Sequence, residues 1–269
     1  MPRRRVQPGV MEGGIESRVE AGPFLTPEEE ERQAAWYEAH RRELYRQLGL
    51  RRFARILEVG CGSGVVTAEL ARRAARGAFG VDRRVDVLRA ARARRLGARF
   101  AAADAAALPF RDGVIDAVVV AFVLVWLAEP AAFLNEARRV LKTDGIFVAL
   151  AEPDYEGAID YPPAASTREE VARAVRRWGG DPATGRKIPA LLSRAGFDVF
   201  TLGVLNSAWT VARWAVEENQ ELKLLETLLE PTTDRRRLRS AARARAGAIS
   251  RGERCYFLPI FYAAARKVR

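Results

Sequence analysis

A short apolar run that ends in a glycine-rich turn limits this chain most. From Ala54 it reads ARILEVGCGSGVVTAEL. Ile56-Leu57-Glu58-Val59 has β character, Gly60-Cys61-Gly62-Ser63-Gly64 is the turn, and Val65, Val66 and Leu70 follow at helical spacing. Strand, tight turn and helix in that order bring free helix N–H groups to the turn. Glycines there permit positive φ and let a ligand approach the backbone. Such a turn suits a cofactor with hydroxyls or a negative group. Spacing disfavours one phosphate-binding turn and excludes another. A dinucleotide fingerprint needs a small residue three positions after its second glycine, where Val65 stands, and a P-loop needs Gly-Lys-Ser/Thr, which is absent. Here the third glycine comes one residue sooner, at Gly64, and an acid, Glu58, stands two before Gly60.

The alternation of strand and helix continues. Gly77 to Asp82 reads as a second strand ending in an acid about twenty residues past the glycines, where a carboxylate can accept both ribose hydroxyls of a nucleoside. Val85 to Leu96 has helical spacing. Arg99 to Ala103 is a third strand closed by Asp104-Ala105, and the apolar run Ile115 to Leu127 reads as a fourth, of the kind buried in a parallel sheet. A helix from Ala131 to Leu141, a turn at Lys142–Gly145 and a fifth strand, Ile146 to Ala151, follow. Glu58, Asp82 and Asp104 then lie at three strand ends facing one crevice, where open α/β sheets bind ligands.

Glu58-Val59-Gly60-Cys61-Gly62-Ser63-Gly64 resembles motif I of the class I S-adenosylmethionine (SAM) dependent methyltransferases. Asp104-x-x-x-Leu108-Pro109-Phe110-x-Asp112-x-x-x-Asp116 looks like the ubiquinone-biosynthesis subgroup. So do Ala137-Arg138-Arg139-Val140-Leu141-Lys142-x-x-Gly145-Ile146 and the passage from Asp181-Pro182 to Gly196-Phe197. The resemblance covers residues 50–269, most strongly 55–152. It implies a doubly wound, seven-stranded, mostly parallel Rossmann-like sheet. It also implies a helical cap over 26–50, a SAM-binding core over 51–203, a late helical insert over 204–252 and a final strand within 253–269. It implies that Glu58 holds the SAM amino group, that Asp82, with Arg83 beside it, holds the ribose, and that Asp104 and the Ala105 backbone take the adenine. Gly60, Cys61, Gly62 and Gly64 would form the cradle, and Phe122 would lie near the methyl group. The product would be S-adenosylhomocysteine. The segment Ala121-Phe122-Val123-Leu124 lacks the Asn/Asp-Pro-Pro-aromatic signature of enzymes that methylate exocyclic amines of nucleic-acid bases.

The flanks add candidates for the acceptor. Residues 1–25 are Pro/Gly-rich and polar and read as a flexible arm. Thr26-Pro27-Glu28-Glu29 is an N-cap with Pro at N1 and a capping-box Glu. The spacing predicts one helix from Pro27 to Leu48, with Trp36, Tyr37, His40, Leu44 and Leu48 on one face. Trp36, Tyr37, His40 and Tyr155 are candidate acceptor-binding residues. The loop after strand five, Glu152-Pro153-Asp154-Tyr155-Glu156, could bind a substrate or take a proton, so His40, Asp154 and Tyr155 are candidate bases. Thr167-Arg168-Glu169-Glu170 caps a helix to Trp178, and Phe197 to Leu202 is a sixth strand. Helices at Trp209–Leu229 and Arg235–Ile249 read as an insert roofing the substrate site or as an oligomer interface. Cys255 to Arg266 is a final strand, inserted antiparallel.

Composition narrows the class. Two cysteines and one histidine supply neither a disulfide framework nor a zinc site, and fit a reducing cytoplasm. No apolar leader opens the sequence, and the longest apolar run, Ala117 to Ala128, is too short to span a membrane. The net charge of +11 admits an anionic partner such as RNA, although the arginines sit mostly among alanines on polar helix faces. The expected acceptor is a small molecule and the expected assembly a monomer or homodimer. RNA or protein methylation, a SAM-binding role without catalysis, and a nicotinamide oxidoreductase, disfavoured by Val65, are the competing readings.

Overall fold

The computed structural model describes residues 25–94, 97–205, 229 and 235–268. The expected arm and most of the first insert helix lie outside that range. The strand of the glycine motif, β1 (Ile56–Val59), is central, flanked by β2 (Ala78–Asp82) and, beyond it, β3 (Arg99–Ala102). On its other side stand β4 (Ile115–Val120) and β5 (Leu141–Pro153). All five run parallel, with Glu58 in register with Gly80 and Val119. Two further strands complete the sheet: β7 (Phe197–Val204) at the edge and β9 (Ile260–Lys267), antiparallel between β5 and β7. The order is β3-β2-β1-β4-β5-β9-β7, and a separate ribbon pairs β6 (Ile159–Tyr161) with β8 (Cys255–Phe257).

Alternation along β1 explains the two cores. Ile56 enters an apolar cluster with Leu44, Tyr45, Leu50 and Val66, while Leu57 and Val59 enter another with Phe133, Leu134, Phe147, Ile188 and Leu192. Each side chain of that size contributes about 1.5–3 kcal/mol when buried. Helices α1 (Pro27–Trp36), α2 (Glu38–Gln47) and α3 (Val65–Ala71) contribute to the first cluster, and α5 (Pro130–Val140) and α7 (Thr184–Arg194) to the second. The remaining described helices are α4 (Val85–Ala93), α6 (Arg168–Arg177) and α8 (Arg235–Ser250).

Several expectations are corrected. The Thr26–Glu29 capping box forms, but the helix it starts stops at Trp36 and α2 begins at Glu38. Between them Tyr37 leaves helical geometry (φ −105°, ψ 18°) and buries its ring under Arg41 and edge-on to Phe122. The fourth strand ends at Val120, not Leu127. Phe122 adopts φ +56° while its N–H still donates to Ala151 O (2.7 Å), and Leu124–Trp126 form a 3₁₀ turn. The expected Lys142–Gly145 turn is absorbed into β5, where the pairing register shifts. Thr167 makes no side-chain cap on α6; its hydroxyl faces Arg245 (3.5 Å). The final strand is divided at Leu258-Pro259, since proline has no N–H for a ladder, and Pro259 O instead accepts from Asp154 N (2.9 Å).

Candidate cofactor and acceptor site

The glycine turn is tied to the second strand. Gly60 N and Cys61 N donate to Val81 O (2.8 and 3.0 Å), and Gly62 N donates to Asp82 Oδ2 (2.9 Å). Asp82 Oδ1 accepts from Arg84 N (2.9 Å). Gly62 has φ +50°, a left-handed conformation that strains any residue with a Cβ. Gly64 (φ +82°) serves packing instead: a Cβ there would lie 2.7 Å from Phe100 and 3.2 Å from Ala91. Gly64 therefore does not line the cavity, contrary to its expected place in the cradle.

A cavity of 340 Å³ opens beside this turn at the carboxyl ends of the strands. Glu58, Gly60, Cys61, Gly62, Asp82, Arg83, Asp104, Ala105 and Phe122 all line it, as do Trp36, Tyr37 and Tyr155 from the acceptor candidates. Part of the lining is acidic. Glu58 is almost fully buried, and burial pushes its carboxyl up to about 8 against the pull of the Thr67 hydroxyl, which donates to it, and of Arg41. Asp104 is exposed and accepts from Ala106 N (2.8 Å). Burial also pushes the Cys61 thiol up, so it is no thiolate. The rest of the lining is apolar and aromatic, with Trp36, Tyr37, Phe122, Trp126, Leu127 and Leu258.

Two base candidates lie elsewhere. His40 does not line the cavity. Asp154 is buried against Arg186 and accepts from Gly157 N (2.8 Å), which leaves it no path to the cavity. Glu152 is fully buried, and its carboxylate accepts from Val123 N (3.0 Å) and Val125 N (3.3 Å) behind Phe122. The sequence points to neither Glu30 nor Arg84, and both line the site. Glu30 accepts from Ser63 N (2.5 Å) and pairs with Arg84. No local pattern distinguishes Glu30 from the neighbouring acids of the first helical turn. The described part of the late insert, α8, packs on Pro163–Ala165 (Arg245 to Ala165 O, 3.1 Å) and does not line the cavity.

The methyltransferase-domain family matches residues 57–149, from β1 through most of β5. That span holds the glycine turn and all three strand-end acids. Residues 57–149 thus match a methyltransferase domain, over about a third of the chain. The cofactor of such domains is SAM. The chain is 36% identical over 152 residues to a malonyl-[acyl-carrier protein] O-methyltransferase of Geobacter sulfurreducens, covering 54% of this chain and 55% of that protein. It is 42% identical over 105 residues to a demethylmenaquinone methyltransferase of Thermus thermophilus, covering 37% of this chain and 47% of that one. The chain thus spans about half the length of these curated relatives. A solved geranyl diphosphate methyltransferase in complex with SAM shares the fold (TM-score 0.54, 16% identity, 80% of this chain and 79% of that chain). Among the described residues no helix is long and apolar enough to cross a membrane. Nor does any His/Cys/Asp/Glu group among them have the make-up of a metal site.

Proposed function

We propose that the protein transfers the methyl group of SAM to a small, largely apolar acceptor. The observation that carries this reading is a single cavity lined both by the strand-end acids with the glycine turn and by aromatic side chains. The acids and the glycine turn fit the cofactor's chemistry: Glu58 suits its ammonium, Asp82 and Arg83 its ribose, and Asp104 with the Ala105 backbone its adenine. When bound, SAM supplies an electrophilic methyl group on a sulfonium.

The chain's own residues then act mainly by positioning. Phe122, at positive φ with its N–H bonded to Ala151 O, sets its ring in the cavity lining. Trp36, Tyr37, Trp126 and Leu258 exclude water and favour an apolar acceptor. Burial pushes the Tyr37 phenol above its ordinary value, so it does not serve as a base. Tyr155 is the remaining candidate for proton transfer, and an acceptor whose nucleophile is already deprotonated needs none. The net charge of +11 favours the competing reading, an RNA acceptor, while the aromatic lining supports the small molecule. Both cysteines are unpaired, which fits a cytoplasmic enzyme.

Titration calorimetry with SAM, S-adenosylhomocysteine and NADH tests the cofactor, and a screen of labelled methyl transfer, apolar small molecules first and RNA second, tests the acceptor. Binding of both adenosyl compounds and not NADH, with turnover on a small acceptor, is the expected result. Binding with no turnover on any acceptor favours a SAM-binding protein without catalysis. No binding of either adenosyl compound refutes the reading.

A further inference from the structure

The turn's backbone donors can be accounted for one by one. Gly60 N and Cys61 N go to Val81 O, Gly62 N to Asp82 and Gly64 N to Cys61 O (2.9 Å). That leaves Ser63 N, and Glu30 Oε2 takes it at 2.5 Å. The other Glu30 oxygen pairs with Arg84, whose guanidinium also donates to Leu25 O (3.1 Å) and lies 3.8 Å from Asp82. Both side chains are mostly buried, at 17% exposure for Glu30 and 10% for Arg84. Thr26 and Glu29 fix the first turn of α1 by their capping box, which sets the position from which Glu30 enters the cavity.

We propose that Glu30 is an internal occupant of the cofactor's carboxylate position, and that SAM binds by displacing it. The inference rests on the SAM reading. SAM carries a single carboxylate, on its methionyl end. Glu58, Asp82 and Asp104 repel that group, and of the Gly60–Gly64 donors only Ser63 N is held by a side chain from outside the sheet and the turn, that of Glu30. Two carboxylates cannot share one N–H without strong like-charge repulsion. Glu30 therefore leaves when the methionyl carboxylate arrives, while Arg84 stays tethered to Leu25 O as a cation facing the site. The contact makes cofactor affinity depend on the seating of α1, the helix that also carries Trp36 into the cavity lining.

The test is calorimetry on the full-length protein and on Glu30→Gln and Glu30→Ala, with SAM and with 5′-methylthioadenosine, which lacks the methionyl end. Removing the resident charged hydrogen bond should tighten SAM binding by about tenfold in Glu30→Ala, and less in Glu30→Gln, which keeps an uncharged acceptor. Methylthioadenosine should bind all three proteins equally. Weaker SAM binding in either variant would make Glu30 a ligand of the cofactor and overturn the proposal, as would an equal gain for both compounds. If the unsubstituted protein binds neither compound, the SAM reading fails, and the role of Glu30 with it. If it binds both and the variants do not tighten on SAM, only the role of Glu30 fails.

Discussion

Replacing Glu58 with Gln should abolish a pH dependence of cofactor binding that the unsubstituted protein shows. Glu58 stands one residue before the end of β1, with its carboxyl almost wholly out of water. The Thr67 hydroxyl and Arg41 favour its charged form and Glu69 and Asp82 oppose it, but burial dominates and the group titrates at about 8. At about pH 6 only ~1% of molecules carry an ionised Glu58, and at about pH 7.5 roughly a quarter do. A cation bound beside the group favours the ionised form, so binding expels the proton and tightens as pH rises. Over that interval the affinity for SAM should rise roughly 25-fold. Calorimetry in two buffers of different ionisation enthalpy should show about 0.9 proton released per SAM near pH 7. Glu58→Gln should bind more weakly, with a flat profile and no proton release. A profile as steep in Glu58→Gln as in the unsubstituted protein would place the proton elsewhere. A flat profile in the unsubstituted protein would mean that Glu58 does not face the cofactor's cationic end.

Glu152 also has a raised carboxyl, at about 7 through burial, so its contribution to folding is complete below about pH 4.5 and is lost as pH rises through 7, a fall of about 3 kcal/mol. Urea midpoints measured from acid to mildly basic pH should decline, and Glu152→Gln should flatten that decline; an unchanged slope in the variant would refute the assignment. Gly64→Ala, with φ +82° and Phe100 2.7 Å from the new Cβ, should cost about 1–3 kcal/mol in denaturant titration. It should leave SAM affinity in the folded protein intact, and a matching loss of affinity would show that Gly64 shapes the cradle after all. Arg41 bonds Glu69 twice (2.8 and 2.9 Å) and Ala34 O (2.7 Å) while fully buried. Arg41→Met should therefore cost about 3–5 kcal/mol, and adding Glu69→Leu should restore most of it. A double variant no more stable than the single one would show that the pair is not what docks α2 on α3.

The features legible in the sequence are those set by neighbours in the chain. The β1 strand needs only three apolar residues among four, and the turn after it only glycines at fixed spacing, so both stand where the pattern puts them. The capping box at Thr26 is equally local. Errors begin where tertiary contacts override a local pattern. The apolar run from Ile115 continues past Val120, but burial can be met by a 3₁₀ turn as well as by a strand, and the Phe122 N–H finds Ala151 O only by turning away. No glycine or proline marks the break at Tyr37, whose ring is held by Arg41 and by Phe122, a residue far along the chain. His40 and Asp154 were plausible bases from residue type alone, and geometry removes both from the cavity. Glu30 shows the same limit most sharply. Beside Glu28, Glu29 and Glu31 it reads as one more acid near a helix dipole, and only the packing of α1 against the turn and Arg84 singles it out. A chain with this glycine turn and a neutral residue at position 30 would keep the same sheet and still match the same family. Its affinity for the cofactor would differ, because the turn fixes the kind of ligand while residues brought to it from elsewhere in the chain fix how tightly that ligand is held.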